Sequence, residues 1–224
     1  MTSATTARRA IGAAFRAVIL GAPASGKGTV SFRIVNNFDV THISSGDILR
    51  RHIMKKTDLG LEVGKYLNKG ELVPDKTMIG LIGKEIDYLG KRNWLLDGFP
   101  RTVTQAEQLQ QLYPVNLVIN LVVPHSVILK RVEGRWVHLP SGRVYNIGFN
   151  TPKIPGKDDL TGEPLVQRID DKREVVERRL ADYASNTQPV IDYYKREGFL
   201  KEFHGSTTDE MWPSIKDYVK QFMT

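Results

Sequence analysis

The 224-residue chain carries 32 Lys+Arg against 25 Asp+Glu, a net charge of +7, with 41% apolar residues, 25% charged residues and no cysteine. These proportions suit one α/β domain with a substantial core and exclude a disordered chain, a disulfide scaffold and a thiolate metal site. No apolar run approaches the roughly 20 residues that cross a bilayer, and the basic surplus points to phosphates, nucleic acid or an acidic membrane face as partner, with plain solubility as the simpler explanation.

Residues 1–17 hold Arg8, Arg9 and Arg16 with no acid, among Ser, Thr and Ala. That is the composition of an amphipathic mitochondrial presequence, or of a frayed basic terminus. A strand is predicted at 17–20, directly after it. Further short apolar runs lie at 94–96, 117–123 and near 199–203, with a shorter one at 40–43. Helical periodicity separates them at 29–36, 47–56, 75–89, 104–112, 126–132, 172–195 and 208–222. Strands alternating with helices predict a parallel sheet covered on both faces. Residues 138–162 interrupt the alternation with Pro140, Pro152, Pro155 and several glycines. Short β pieces are expected there at 143–145 and 147–149, and a turn-rich stretch of this length reads as a lid or small subdomain.

The string Gly21-Ala22-Pro23-Ala24-Ser25-Gly26-Lys27-Gly28-Thr29 follows the first strand and opens a helix. This is G-x-x-x-x-G-K in the context a phosphate loop requires. Glycines let backbone N–H groups converge on phosphate oxygens, the helix N-terminus adds partial positive charge, and Lys27 adds a full one. The Ser/Thr usual after the Lys is replaced by Gly28, with Thr29 one position later. A nucleoside triphosphate is therefore expected. Two GTPase-like strings, Asn68-Lys69-Gly70-Glu71 and Asp87-Tyr88-Leu89-Gly90, lie in the wrong places for a guanine reader or a switch.

With GAPASGKGT, HISSGDILR, WLLDGFPRT, GRWVHLPSGRVYN and DDLTGEPLVQRIDDKREVVERRL in this order and spacing, the chain resembles the long-lid adenylate kinases over nearly everything after residue 17. The resemblance implies a P-loop three-layer α/β sandwich with a central parallel five-stranded sheet. To this core, 18–224, it adds a helical AMP-binding insertion at 44–73 and a small β-rich lid at 134–171. It implies Mg-dependent transfer of a phosphoryl group from a triphosphate to AMP. That reaction is mostly positioning and charge neutralisation, so many fixed cations are needed. Lys27, Asp97, Arg101, Arg131, Arg135, Arg168 and Arg179 match the catalytic positions, and Arg suits them because its planar fork grips two phosphate oxygens. Arg131 and Arg135, four apart, are expected to share a helical face.

For the triphosphate the resemblance implies Ala24, Ser25, Gly26, Lys27, Gly28, Thr29, Arg135, Val144, Tyr145 and Thr207. For AMP it implies Ser45, Arg50, Leu67, Glu71, Leu72, Val73, Gly98, Phe99, Pro100, Arg101, Gln105, Arg168 and Arg179, with Gln105 able to pair with an adenine edge in both directions. Mg²⁺ is expected to be held by phosphates and waters near Thr29 and Asp97. Some relatives hold lid zinc through C-x₂-C-x₁₆-C-x₂-C. The same positions here are His138, Ser141, Asp158 and Thr161, expected to form a polar hydrogen-bonded cluster without zinc. Asp170 and Asp171 fall on the lid's hinge side.

The wording is nearest to the branch that uses GTP in the mitochondrial matrix, with Trp136 where bacterial ATP users often have a second Arg, and Gly205 and Thr207 in the loop near the triphosphate base. GTP is the favoured donor, with ITP also accepted. The alternatives are ATP as donor with a cytoplasmic location, or a nucleotide-binding partner with little catalysis. A short-lid uridylate or cytidylate kinase is disfavoured by the long insertion and by Gln105. No nucleic-acid module accompanies the charge, and a monomer without membrane insertion is expected.

Overall fold

The computed structural model describes residues 14–148, 150–168 and 171–223. The first strand, β1 (Arg16–Gly21), is apolar from Ala17 to Leu20, and Ala17, Val18 and Ile19 have no exposed surface. Such a run can only be covered on both faces. Side chains alternate across it: Val18 and Leu20 enter one apolar cluster, Ala17 and Ile19 the other. The same division runs through β3 (Trp94–Asp97) and β4 (Leu117–Val122). With β2 (Thr41–Ser44) and β7 (Leu200–His204) they form a five-stranded sheet, wholly parallel, in the order β2-β3-β1-β4-β7.

One face is covered by α1 (Lys27–Asn37) through Val30 and Ile34, and by α9 (Thr208–Lys220) through Met211, Ile215 and Val219. The other carries α2 (Ser45–Met54), α3 (Asp58–Lys69), α4 (Asp75–Leu89), α5 (Val103–Leu112) and α8 (Gln188–Arg196). The result is the expected three-layer sandwich. Because β1 lies between β3 and β4, the chain leaves the sheet in opposite directions around its C-terminal end, where a parallel sheet opens a crevice for ligands. The register places Asp97 of β3 beside Ile19 of β1 and beside Ser44 of β2.

β1 begins two residues before Val18. Phe15 is already core: it is 1% exposed, its N–H donates to Asn93 Oδ1 at 2.7 Å, and its ring meets Phe222 edge-on. Of the basic 1–17 segment, residues 1–13 lie outside the described residues. The helical segment expected at 44–73 holds two helices, α2 near the expected 47–56 and α3 beyond it. Thr57 caps α3 by accepting from Gly60 N–H, and Gly60 lets α3 cross α2 so closely that a Cβ there would sit 2.1 Å from His52 O.

Three local expectations are corrected. The helix predicted at 172–195 is broken into α7 (Arg173–Asp182) and α8 by a π-helical turn, Tyr183–Thr187. Pro189, in the first turn of α8, has no N–H to continue the ladder. In the lid, β5 (Arg135–Val137) pairs antiparallel with β6 (Val144–Asn146). Ile147 and Gly148 are a turn instead of a strand, Gly148 having φ 92°, while Phe149 lies outside the described residues. Finally, α6 (His125–Glu133) stops at Gly134, so Arg131 is on a helix and Arg135 on a strand, and the two share no helical face.

Candidate active site

The loop between β1 and α1 turns on two glycines. A Cβ on Gly21, whose φ is 144°, would meet Ser25 Oγ at 2.7 Å and Leu121 O at 2.9 Å. One on Gly26, φ 99°, would meet the Thr208 methyl at 2.5 Å. The loop is thus pressed between β4 and the start of α9. Gly26 ends it as the N-cap of α1 and brings no side-chain cap, and no acid sits in the first turn, so the helix's first N–H groups and their partial positive charge stay with the loop. Lys27 folds back across it, donating from Nζ to Gly21 O at 2.7 Å and Ala22 O at 2.9 Å. Burial pulls the Lys27 ammonium down to about 8; Asp97 opposes that shift, while Arg101, Arg179 and Arg135 add to it. Three of the predicted arginines are therefore close enough to repel the lysine.

Asp97 caps the C-terminal end of β3 with its side chain 14% exposed. Burial alone would raise its carboxyl, but His42, 3.7 Å away, and the Lys27 charge outweigh burial and hold it below the usual range. His42 was not among the predicted residues. Arg131, 8% exposed, donates to Ala24 O at 3.1 Å and to Ser206 O at 2.9 Å. It joins the phosphate loop to the β7–α9 turn, where Thr207 caps α9 in a reciprocal pair with Glu210. Arg135 grips Asp171 with both Nε and its terminal nitrogen, and Arg179 lies 4.0 Å from the same carboxylate. The sequence reading placed Asp171 at the hinge without seeing it as the partner of two arginines. Asp170 lies outside the described residues.

Beside this loop lies a cleft of about 580 Å³, open to solvent. Ser45, Arg50, Leu67, Glu71, Leu72, Val73, Gly98, Arg101, Gln105 and Arg179 all line it, joined by Gly46, Leu49, Gly70 and Met78, which the sequence reading did not single out. Phe99 is buried beneath it in the core and, like Pro100 and Arg168, does not form its wall. Arg50 bonds Asp47 at 2.5 Å. Burial raises the Asp47 carboxyl, but Arg50 and then Arg168 bring it below its ordinary value. Among the described residues, Ser25 Oγ and Ser45 Oγ are buried without a hydrogen-bond partner, one under the loop and one in the cleft wall. Arg101 and Arg179 thus face both compartments: they line the cleft and repel Lys27.

The four lid positions meet. His138, 2% exposed, bonds Ser141 Oγ at 2.6 Å and Glu163 Oε2 at 2.5 Å, and Thr161 Oγ1 donates to Asp158 at 2.9 Å. Arg143 grips Asp158 with two bonds, at 2.8 and 2.6 Å, and the Tyr145 hydroxyl donates to it at 2.9 Å. The Tyr145 side chain is therefore buried within the lid, while Val144 is half-buried. The donor chemistry does not fit zinc: both oxygens of Asp158 are taken by neutral donors and a guanidinium, which would repel a dication, and the other donors include two hydroxyls. Among the described residues no three His, Asp or Glu side chains are placed to hold a metal ion. Glu163 and Arg143 carry no spacing signal that could have revealed them.

A phosphate loop with a second lined cleft against it, on this sheet order, defines a nucleoside monophosphate kinase. The chain belongs to the adenylate kinase family, whose family model, described as adenylate kinase, matches residues 19–199. It is 52% identical over 202 residues to a mitochondrial GTP:AMP phosphotransferase of Drosophila melanogaster, covering 90% of this chain and 94% of that one. It is 45% identical over 214 residues to a mitochondrial GTP:AMP phosphotransferase of Saccharomyces cerevisiae (91% and 92%), and 42% identical over 191 residues to adenylate kinase 4 of Arabidopsis thaliana (83% and 78%). No helix among the described residues is long and apolar enough to cross a membrane.

Proposed function

We propose that the protein transfers a phosphoryl group reversibly from a purine nucleoside triphosphate, GTP by preference, to AMP, in the mitochondrial matrix. The observation that carries this reading is the crowding of Lys27, Arg101, Arg135 and Arg179 where the phosphate loop meets the cleft. Cations held this close repel one another, and a chain of phosphates laid between them removes that cost. The fly and yeast relatives, named for GTP and AMP, support the choice of nucleotides, and their mitochondrial names, with the basic segment 1–17, support the location.

In this reading the phosphate loop from Ala24 to Thr29 holds the triphosphate, with Thr207 beside its base. Helices α2 and α3 form the AMP-binding unit: Ser45, Leu67, Leu72 and Val73 flank the base, and Arg50, Arg101 and Arg168 take the α-phosphate. Residues 134–171 act as a lid that excludes water while Arg101, Arg131, Arg135 and Arg179 neutralise the moving charge. The residues present fit Mg²⁺: a half-buried, anionic Asp97 with the Thr29 hydroxyl on α1 is an oxygen donor set suited to a hard cation held mainly by phosphates and waters. When bound, the ion supplies further charge neutralisation on the phosphates.

Steady-state rates with AMP as acceptor and GTP, ITP or ATP as donor, in Mg²⁺ buffer, test the proposal. The highest kcat/KM is expected with GTP. Activity with ATP alone would move the donor assignment, and no conversion of AMP to ADP with any donor would overturn the reading.

A pH dependence follows from Lys27. Its ammonium titrates at about 8 in the free protein, and bound phosphates favour the charged form, so its value rises on binding. Binding is therefore expected to take up protons above pH 8, and the triphosphate Kd to rise as pH increases past that value. Calorimetry in two buffers of different ionisation enthalpy reads the proton uptake directly.

A further inference from the structure

Gln105 is 2% exposed and lines the cleft from α5, and its side-chain amide is held from both ends. The backbone N–H of Arg101 donates to Oε1 at 2.7 Å, and Nε2 donates to Asp75 Oδ1 at 2.7 Å. The other Asp75 oxygen accepts from the Thr102 hydroxyl at 3.0 Å, and that hydroxyl caps α5 by accepting from Gln105 N–H at 3.2 Å. Asp75 is the first residue of α4, two positions after Val73 of the cleft wall, and the sequence reading gave it no role.

The two partners leave the amide one orientation. A backbone N–H can only donate and a carboxylate can only accept. Turning the amide over would set its N–H₂ against the Arg101 N–H and its oxygen against the Asp75 carboxylate, two repulsive contacts in a buried place. In the held orientation one N–H of Nε2 and one lone pair of Oε1 remain to pair with a base. That donor–acceptor pair is complementary to adenine, which offers N1 as acceptor and N6–H as donor. A 6-oxopurine offers the reverse, N1–H and O6, and would be read by the overturned amide.

We propose that Asp75 is a positioning residue that sets acceptor-base specificity, fixing the Gln105 amide in the orientation that reads adenine and rejects 6-oxopurine monophosphates. This deepens the AMP reading above and rests on it. Asp75 makes no contact with substrate in this account; it acts through Gln105.

The test uses the full chain with Asp75→Asn, which keeps the shape but can also donate, and Asp75→Ala, which removes the acceptor. Rates are measured with AMP and with IMP, and the binding of each monophosphate is measured by calorimetry without donor. Both variants are expected to raise KM and Kd for AMP about tenfold, with a smaller effect on kcat, and to narrow the AMP:IMP ratio of kcat/KM by about tenfold. The KM for GTP is expected to stay within about twofold, because α4 lies away from the phosphate loop. A merely structural cap on α4 would lower stability without changing base preference, so an AMP:IMP ratio unchanged in both variants overturns the proposal. The wild-type rate separates this from the larger reading: a wild type that does not phosphorylate AMP sinks the function, while the AMP and IMP titrations still read the orientation of Gln105.

Discussion

Replacing Lys27 by Met is expected to lower kcat/KM by about a thousandfold or more while leaving the fold intact. The geometry separates the two effects. The Lys27 ammonium bonds only loop carbonyls, those of Gly21 and Ala22, and burial has already weakened its hold on its proton. The native protein therefore gains little from this charge. Met has a similar unbranched stem, and the loop keeps the features that shape it: the two left-handed glycines, the Ser25 N–H to Ala22 O bond and the Arg131 link to Ala24. What disappears is a positive charge placed where negative charge gathers. Kinetics beside a thermal melt check it. A melt shifted strongly downward with only a tenfold loss of rate would make Lys27 a brace for the loop instead of a phosphate ligand.

The second large effect is expected at Asp158. Its carboxylate has no exposed surface and is the hub on which Arg143, Tyr145, Thr161 and the Leu160 N–H converge. Arg143 above all holds it far below the usual carboxylate range, against the opposing effect of burial. Asp158→Ala strands a guanidinium and two hydroxyls in a subdomain whose regular pairing, among the described residues, is two three-residue strands, and loss of one partner of such a buried pair is strongly destabilising. Amide exchange at Val137 and Val166, which bond each other across the lid, is expected to speed up about a hundredfold, with the central strands unaffected. The sign of the pH effect follows from the depressed value. The carboxylate's contribution is complete above its unfolded range and fades only as pH falls toward its lowered folded value, so the lid is expected to hold through mildly acid conditions. Equal exchange in variant and wild type would show that the backbone bridges alone hold the lid.

How much of this was visible in the residues differs from element to element. The three central strands were legible because a parallel sheet buried on both faces leaves continuous apolar runs, and 94–96 or 117–123 admit no other comfortable reading, whereas the edge strands β2 and β7 carry only one buried residue each. Helix 75–89 was placed to the residue because Pro74 and Gly90 bound it. The phosphate loop was legible because its chemistry is local. What escaped was pairing across distance. Asp75 meets Gln105 from 30 residues away, Asp171 meets Arg135 from 36, and Glu163 meets His138 from 25, and no periodicity marks such partners. Strand β5 is three residues long, below what alternation can signal. Other misses had a visible cue. Gly134 stood between Arg131 and Arg135 as a helix stop, and Pro189 stood inside the stretch read as one helix.

The placement of β1 between β3 and β4 has a consequence for how the chain assembles. Phe15 reaches its partner Asn93 across 78 residues and Arg16 reaches Asn116 across 100. While the protein is being synthesised, the first strand emerges from the ribosome with nothing to pair with, and neither of its neighbours exists until about half the chain has been made. The first strand therefore waits unpaired through about the first half of translation, and the middle of the sheet closes late and over long loops, the topology associated with slow folding.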